Sequence, residues 1–381
     1  MKVSGDWLTS DGTQTVFQAL TAKGNHAYAV GGCVRNALMN MPVTDVDIAT
    51  DATPETVTQL ASEAGLKAVP TGFDHGTVTL VSGGVGYEVT TFRADVETDG
   101  RHAIVRFSTD IVEDAARRDF TMNALYCDAA GNVIDPHDGL PDLQARRVRF
   151  IGDAQQRLRE DHLRTLRFFR FAAWYGDASD GFDPEALAAI SASLEGLSGL
   201  SRERVGSEII KLLAAPDPAP SVASMVHTGV LHAILPGASG RALAPLVHLE
   251  TEFNAPPDPL RRLASFGVID TDPLRLSKKQ ITRLDLYQRL ISGPEGPAEL
   301  GYRHGFGVAR DVVLLRSVLL EVPLEPEALA AVKRGSLAKL PVKPSHLMPS
   351  FSGAALGKKL REVEARWIAS DFALTKSELL G

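Results

Sequence analysis

Asp45 and Asp47 lie one residue apart in the apolar run VTDVDIAT. Alternate side chains of a strand face the same way, so an Asp-x-Asp on a strand sets two carboxylates side by side. Like charges that close are costly unless a cation neutralises them. Hard oxygen donors favour Mg²⁺, above all where substrate phosphates complete its shell. Two solvated acids at a strand end would give the same pattern. The preceding loop narrows the choice. Gly31 and Gly32 follow the apolar run AYAV and lead into VRNALMN. Glycine lets backbone N–H groups approach a ligand at a helix start, a natural seat for phosphate. Arg35 could add a charge-assisted contact to the same phosphates. A tight strand–helix turn is the plain alternative for the glycines alone. A phosphate loop and a metal-ligating pair within one strand–turn–helix–strand unit together suit a nucleoside triphosphate with Mg²⁺.

Two further segments carry arginine. RRDFTMNAL, 117–125, brings Arg117, Arg118, Asp119 and Asn123 together between apolar anchors. Arg118 could reach a triphosphate or ribose, and Asp119 could accept from a ribose hydroxyl. An ion-pair run at a helix start stays open as the alternative. EDHLRTLRFFRFAAWYG, 160–176, follows. On one helix Asp161 and Arg164 are i,i+3 neighbours, and Arg167 and Arg170 continue the step. Phe168, Phe169, Phe171 and Trp174 fill much of the rest, so the helix is expected to be buried between two domains. A buried Arg needs an anionic or hydrogen-bonding partner. A paired Asp and Arg could match the donor and acceptor edge of cytosine or adenine, or form a structural ion pair.

These residues need elements to position them. Residues 13–24 read as an amphipathic helix ending at Gly24, 27–30 as a buried strand, 34–40 as a short helix and 46–50 as a second strand. Thr53-Pro54-Glu55 starts a helix that ends before Gly65. GTVTLVSGGVGYEVTTFR, 76–93, reads as a β-hairpin around SGGVG. After residue 150 the periods are mostly helical, beginning with 155–175, with joints at 216–220 and 254–259. The expected class is α+β. A mixed-sheet α/β head spans 1–145, a helical neck 146–215, and a helical body and tail 216–381.

The bulk figures fit. The chain has 381 residues, 44% hydrophobic and 23% charged, enough for two or three domains with real cores. No apolar run approaches the ~20 residues of a membrane span, and the N-terminus lacks a secretory pattern. Two Cys in unrelated contexts suit reduced thiols in a cytoplasmic protein, and no Cys/His cluster has zinc spacing. Residues 1–240 hold 20 Lys and Arg against 31 Asp and Glu, while 241–381 hold 20 against 16. An acidic front and a mildly basic back suit a catalytic head joined to a part that touches phosphates.

GGCVRN followed by DVD, then RRDFTMNAL, then EDHLRTLRFFRF closely resemble the class II tRNA nucleotidyltransferases, the CCA-adding enzymes, and the related bacterial poly(A) polymerases. TGFDHGTVTL, EVTTFR, IDPHDGLPDL and SRERVGSEIIKLL look like further family segments. The strong resemblance covers residues 27–215, with LRLSKKQ, 274–280, a weaker feature. It implies a polymerase beta-like nucleotidyltransferase head, with Gly31 and Gly32 in the phosphate loop. Gly32 and Arg35 match positions that hold the triphosphate, and Asp45 and Asp47 match the Mg²⁺ ligands. Arg118 and Asp119 match a segment contacting the nucleotide and its ribose. Asp161 and Arg164 match a pair that reads the incoming C or A without a nucleic-acid template, and Arg167 and Arg170 match further nucleotide-binding arginines. Glu203 and Arg204 match a motif supporting the base-reading helix. Asn36 departs from the pattern: the family usually has Asp there.

The activity implied is Mg²⁺-dependent transfer of CMP and AMP, from CTP and ATP, to the 3′ end of tRNA. A poly(A) polymerase, or an enzyme adding only CC or only A, is the alternative within the family. An inactive nucleotide- or RNA-binding module is the alternative outside it. Partners are the tRNA acceptor end, CTP and ATP, with no DNA and no membrane. Lys278 and Lys279 are the candidate RNA contacts, since backbone contacts dominate helical RNA recognition. By analogy with relatives, the segment 94–109 helps the site switch from C to A.

Overall fold

A seven-stranded mixed sheet carries the glycine loop and the paired aspartates. The structure, a computed structural model, describes residues 1–99, 102–177, 179–348 and 350–381. The strands are β1 (Ala27–Val30), β2 (Asp47–Thr50), β3 (Lys67–Gly72), β4 (Thr77–Ser82), β5 (Val85–Thr91), β8 (Tyr126–Cys127) and β9 (Val133–Ile134), with β6 (Arg93–Asp99) and β7 (His102–Phe107) pairing separately. The sheet order is β3-β4-β5-β2-β1-β8-β9. Among the described residues only β2 and β5 run parallel, and their register sets Asp47 beside Glu88. Gly100 and Arg101, in the segment tied to the C-to-A switch, lie outside the described residues.

Local chemistry explains these elements. Helix α1 (Asp11–Thr21) turns Val16, Phe17 and Leu20 inward. Gly31, at φ 72, makes the turn from β1 into helix α2 (Gly32–Leu38); a Cβ there would meet the left-handed penalty. Helix α3 (Pro54–Glu63) starts where Thr53 Oγ1 accepts from the Thr56 N–H. The β4–β5 turn uses Gly83 and Gly84 at φ 58 and 81, the sign that two-residue hairpins with the native strand twist require. Val30, Ala49, Phe92, Ala115 and Tyr126 pack one core under the sheet, Ala115 coming from helix α4 (Ile111–Ala116).

The chain divides into two compact units, Met1–Ile234 and Leu235–Gly381. In the first, the single helix expected over 155–175 is two: α5 (Ala154–Glu160) and α6 (Leu163–Tyr175). Asp161 makes the break, with φ −153 and ψ 103. Its Oδ1 accepts from the Leu163 N–H at 3.0 Å, and its carbonyl accepts from the Arg164 N–H at 3.0 Å. An Asp side chain competing for the backbone starts a new helix instead of continuing the old one. Helix α7 (Arg202–Leu213) packs against α6.

The second unit is helical, with α8 (Pro259–Ala264), α9 (Lys278–Ile291) and α10 (Pro297–Leu319) around a charged centre. Within α10 two helical stretches meet at a kink at Gly305, whose backbone is non-helical (φ 77). A separate apolar cluster gathers Val363, Trp367, Phe372 and Leu379. No helix among the described residues is long and apolar enough to cross a membrane.

Candidate active site

Asp47 is the first residue of β2, and Asp45 stands just before that strand rather than on it. The strand pleat therefore does not by itself align the pair. Burial pushes the Asp47 carboxyl above its usual range, and Glu88 and Asp45 push it further, against the pull of Arg118. Three carboxylates thus share one end of the β2–β5 pair. Oxygen donors accumulating negative charge fit a hard cation. Among the described residues no three metal-ligating side chains are close enough to enclose an ion unaided. A divalent ion that retains waters and takes substrate phosphates besides one or two carboxylates fits that geometry.

Two guanidiniums flank the glycine loop. A Cβ on Gly31 would lie 3.7 Å from Arg118 Nη1, and one on Gly32 3.8 Å from Arg35 Nη2. Arg118 is aimed from behind: its Nη2 donates to Asp114 at 2.9 Å and its Nε to the Tyr126 hydroxyl at 3.0 Å. Asp114, fully buried, also takes Arg117 at 2.7 Å. Burial pushes its carboxyl up, but Arg118 and Arg117 outweigh that and hold it down at about 2.

Arg35 is buried between Phe171 and Tyr175, its guanidinium carbon 4.0 Å from the Tyr175 ring centroid. It donates to Asn36 Oδ1, to Asn123 Oδ1 and, at 2.8 Å, to the Tyr175 hydroxyl. Asn123 Nδ2 donates to Asp119 Oδ1 at 2.8 Å, and Arg167 Nε donates to Asp119 Oδ2 at 2.7 Å. Asp119 is buried and also accepts from the Phe120 N–H. Burial raises its carboxyl, and Arg167 with these hydrogen bonds brings it below the usual range. Its acceptor sites are filled by protein donors. In this arrangement Asp119 holds Arg167 and Asn123 in place. Arg170 donates to Glu208 of α7 at 2.5 Å. Arg35, Arg167 and Arg170 lie 5.2, 5.4 and 4.5 Å from the ring centroid of Phe171.

The expected Asp161–Arg164 pair does not form. Asp161 Oδ2 accepts from Arg204 of α7 at 2.6 Å. Arg164 donates to Glu160 at 2.5 Å and to the carbonyls of Arg157 and Arg117, both at 2.9 Å. The helix break at Asp161 removes the i,i+3 geometry that the pairing assumed.

Comparison with known proteins now decides the family. Residues 27–149 match the family described as "Poly A polymerase head domain", and 181–240 match "Probable RNA and SrmB- binding site of polymerase A". The mitochondrial CCA tRNA nucleotidyltransferase 1 of Mus musculus is 32% identical over 98% of this chain and 90% of its own length. The CCA-adding enzyme of Limosilactobacillus fermentum is 32% identical over 94% of this chain and 93% of its own. The chain belongs to the CCA-adding tRNA nucleotidyltransferase family. A solved Bacillus stearothermophilus CCA-adding enzyme in complex with CTP superposes with a TM-score of 0.69 at 27% identity, covering 94% of this chain and 93% of that one. Membership of this nucleotidyltransferase family implies use of a divalent metal ion.

Within this family member, several residues around the site escaped sequence reasoning. Glu88 was visible only as part of EVTTFR, and strand register alone brings it to Asp47. Glu208 and Tyr175 act through contacts 38 and 140 residues away in sequence, which no local pattern encodes. Lys278 and Lys279 stand exposed in the first turn of α9, capped by Ser277 and Gln280.

Proposed function

We infer that this chain adds CMP and then AMP, from CTP and ATP, to the 3′ end of tRNA without a nucleic-acid template, releasing pyrophosphate. The observation that carries this reading is the glycine loop set between Arg35 and Arg118 beside Asp45, Asp47 and Glu88, in a chain whose relatives are CCA-adding enzymes. Gly31, Gly32, Arg35 and Arg118 hold the triphosphate. Asp45 and Asp47 hold the divalent cation, Mg²⁺ by the chemistry of its oxygen donors. When bound, it lowers the pKa of the attacking hydroxyl and offsets charge on the departing pyrophosphate. The tRNA 3′-hydroxyl attacks the α-phosphate, and the bond to the bridging oxygen of pyrophosphate breaks. The chain's own share is positioning and electrostatics.

Arg167 and Arg170, stacked on Phe171 with Arg35, extend the positive wall for the nucleotide. Asp161, aimed by Arg204, accepts from the amino group of the base. Arg164 reads the neighbouring acceptor and must release one of its backbone carbonyls to do so. Residues 1–145 act as the catalytic head, 146–215 as the base-reading neck and 216–381 as the RNA-binding part, where Lys278 and Lys279 touch the tRNA backbone. The buried free thiols Cys33 and Cys127 suit a reducing, cytoplasmic setting.

The test is incubation with tRNA transcripts ending before CCA, after C and after CC, with all four nucleoside triphosphates, followed by end sequencing. Completion to CCA on all three, then arrest, supports the reading. A homopolymeric A tail makes this a poly(A) polymerase, and no incorporation makes it a binding module.

A further inference from the structure

Asp161 and His162 are the two residues between helices α5 and α6. The backbone of Asp161 is extended there, so regular helix geometry does not fix where its carboxylate points. Both residues are held instead by one segment of the chain, 194–213. Arg204 of α7 donates to Asp161 Oδ2 at 2.6 Å. The His162 ring lies on Gly196, in the 3₁₀ turn Leu194–Gly199 that leads into α7. Leu197, buried in the same turn, anchors it.

The fit between His162 and Gly196 is steric. A Cβ on Gly196 would run into Cε1, Nε2 and Nδ1 of the ring, well inside contact distance. Gly196 lacks the positive φ that calls for glycine at Gly31. The ring, not the backbone, therefore excludes a side chain at 196. Nδ1 of His162 is buried and has no hydrogen-bond partner among the described residues, so packing rather than hydrogen bonding holds the ring. One tie would let the Asp161 carboxylate pivot. Two ties on adjacent residues, both from the same rigid segment, fix its direction.

We propose that His162 is a positioning residue for base selection, with Gly196 as its seat. The ring wedged on Gly196 sets the chain direction at Asp161, so that the carboxylate held by Arg204 meets the amino group of cytosine or adenine. The proposal rests on the reading of Asp161 as an acceptor from the base. UTP carries a carbonyl where CTP carries that amino group, so the preference for CTP over UTP reports on this contact.

The test is the ratio of kcat/KM for CTP to that for UTP, on the full chain with a tRNA transcript ending before CCA. Both values come from one preparation, so the fraction of folded molecules cancels, and a merely structural defect lowers both together. Gly196→Ala drives the ring off its seat and is expected to lower the ratio about tenfold or more. His162→Ala removes the wedge and should lower it about fivefold. It makes no clash, so it keeps the test open where Gly196→Ala does not fold. In the double variant the added methyl takes space that the ring has vacated. The ratio should then return to within about threefold of wild type, whereas two independent defects would multiply. A wild-type ratio in either single variant, or a double variant no better than Gly196→Ala alone, overturns the proposal. Asp161→Ala tests the underlying reading. An unchanged ratio there removes Asp161 from base selection and this proposal with it, while a lost ratio there with both single variants intact sinks the wedge alone.

Discussion

Arg261 and Arg262, in the second unit, are 0% and 1% exposed, and each faces carboxylates. Arg261 donates to Glu250 and to Asp311, both at 2.7 Å, and Arg262 takes the other oxygen of Glu250 at 2.7 Å. Arg283 and the Tyr287 hydroxyl fill the remaining oxygen of Asp311. In the first unit, three guanidiniums crowd the Phe171 ring, and the carboxylates paired with them are two, Asp119 and Glu208. In the second unit Arg261, Arg262 and Arg283, with Arg310 beside them, each contact a carboxylate. In the first, Arg35 meets two amides and a phenol hydroxyl instead, beside a glycine loop and an acidic strand end. Burial alone does not distinguish them, since Arg35 is also buried. The distinction is sharpest at Arg35: Arg261 and Arg262 meet carboxylates, whereas Arg35 meets amides, a phenol hydroxyl and rings.

The largest effect is expected at the acidic strand end, which faces the glycine loop's arginines. Asp47→Ala should lower nucleotide incorporation by about a thousandfold or more, since several kcal/mol of charge stabilisation is lost. The same change should not lower the melting temperature. A carboxyl whose folded pKa is raised opposes folding once ionised, so at neutral pH its removal costs the fold nothing through this channel, and the benefit disappears below its unfolded pKa. Arg261→Ala should do the reverse. Leaving Glu250 and Asp311 buried without their partner should cost about 3–5 kcal/mol in denaturant unfolding, with CTP affinity unchanged.

Smaller effects sharpen the contrast. Arg204→Ala frees Asp161, and discrimination against UTP should fall about 10- to 100-fold, as misplacement near a reacting centre does. Asp114 bridges the two classes, because it is buried and paired yet serves to aim Arg118. Its depressed carboxyl contributes stability that is present above its unfolded pKa and lost as pH falls from about 4 towards its folded value, worth about 2 kcal/mol. Melting followed against pH should show a shallower acid limb in Asp114→Asn. Lys278→Glu with Lys279→Glu should have the mildest effect, raising the KM for tRNA several-fold at low salt and reducing its salt dependence.

The elements of the head were legible because their signals are local: Thr53-Pro54 starts a helix, SGGVG turns a hairpin, and AYAV is buried on both faces. The break at Asp161 was not, because the apolar period of 155–175 runs through it and only the backbone records the change. The acidic pair and the arginines were legible by type and order. Their partners were not. Asn36 donates to the Pro42 carbonyl only six residues on, but the amide's double use, with Arg35 as its other partner, depends on how the loop folds back. Glu88, Glu208 and Tyr175 reach the site only through strand register and helix packing.

Thermal melting of Arg35→Ala and Arg261→Ala, each with and without saturating CTP, separates the two kinds of arginine. At CTP about a hundredfold above Kd, wild type should gain about 2.7 kcal/mol and several degrees. Arg35→Ala leaves only neutral partners behind, so it should melt close to wild type and lose most of the CTP shift. Arg261→Ala should melt far lower and keep the shift. Equal CTP shifts in the two variants, or a collapse of the fold in Arg35→Ala with the shift retained, would contradict the division between arginines that hold the fold and arginines that hold the nucleotide.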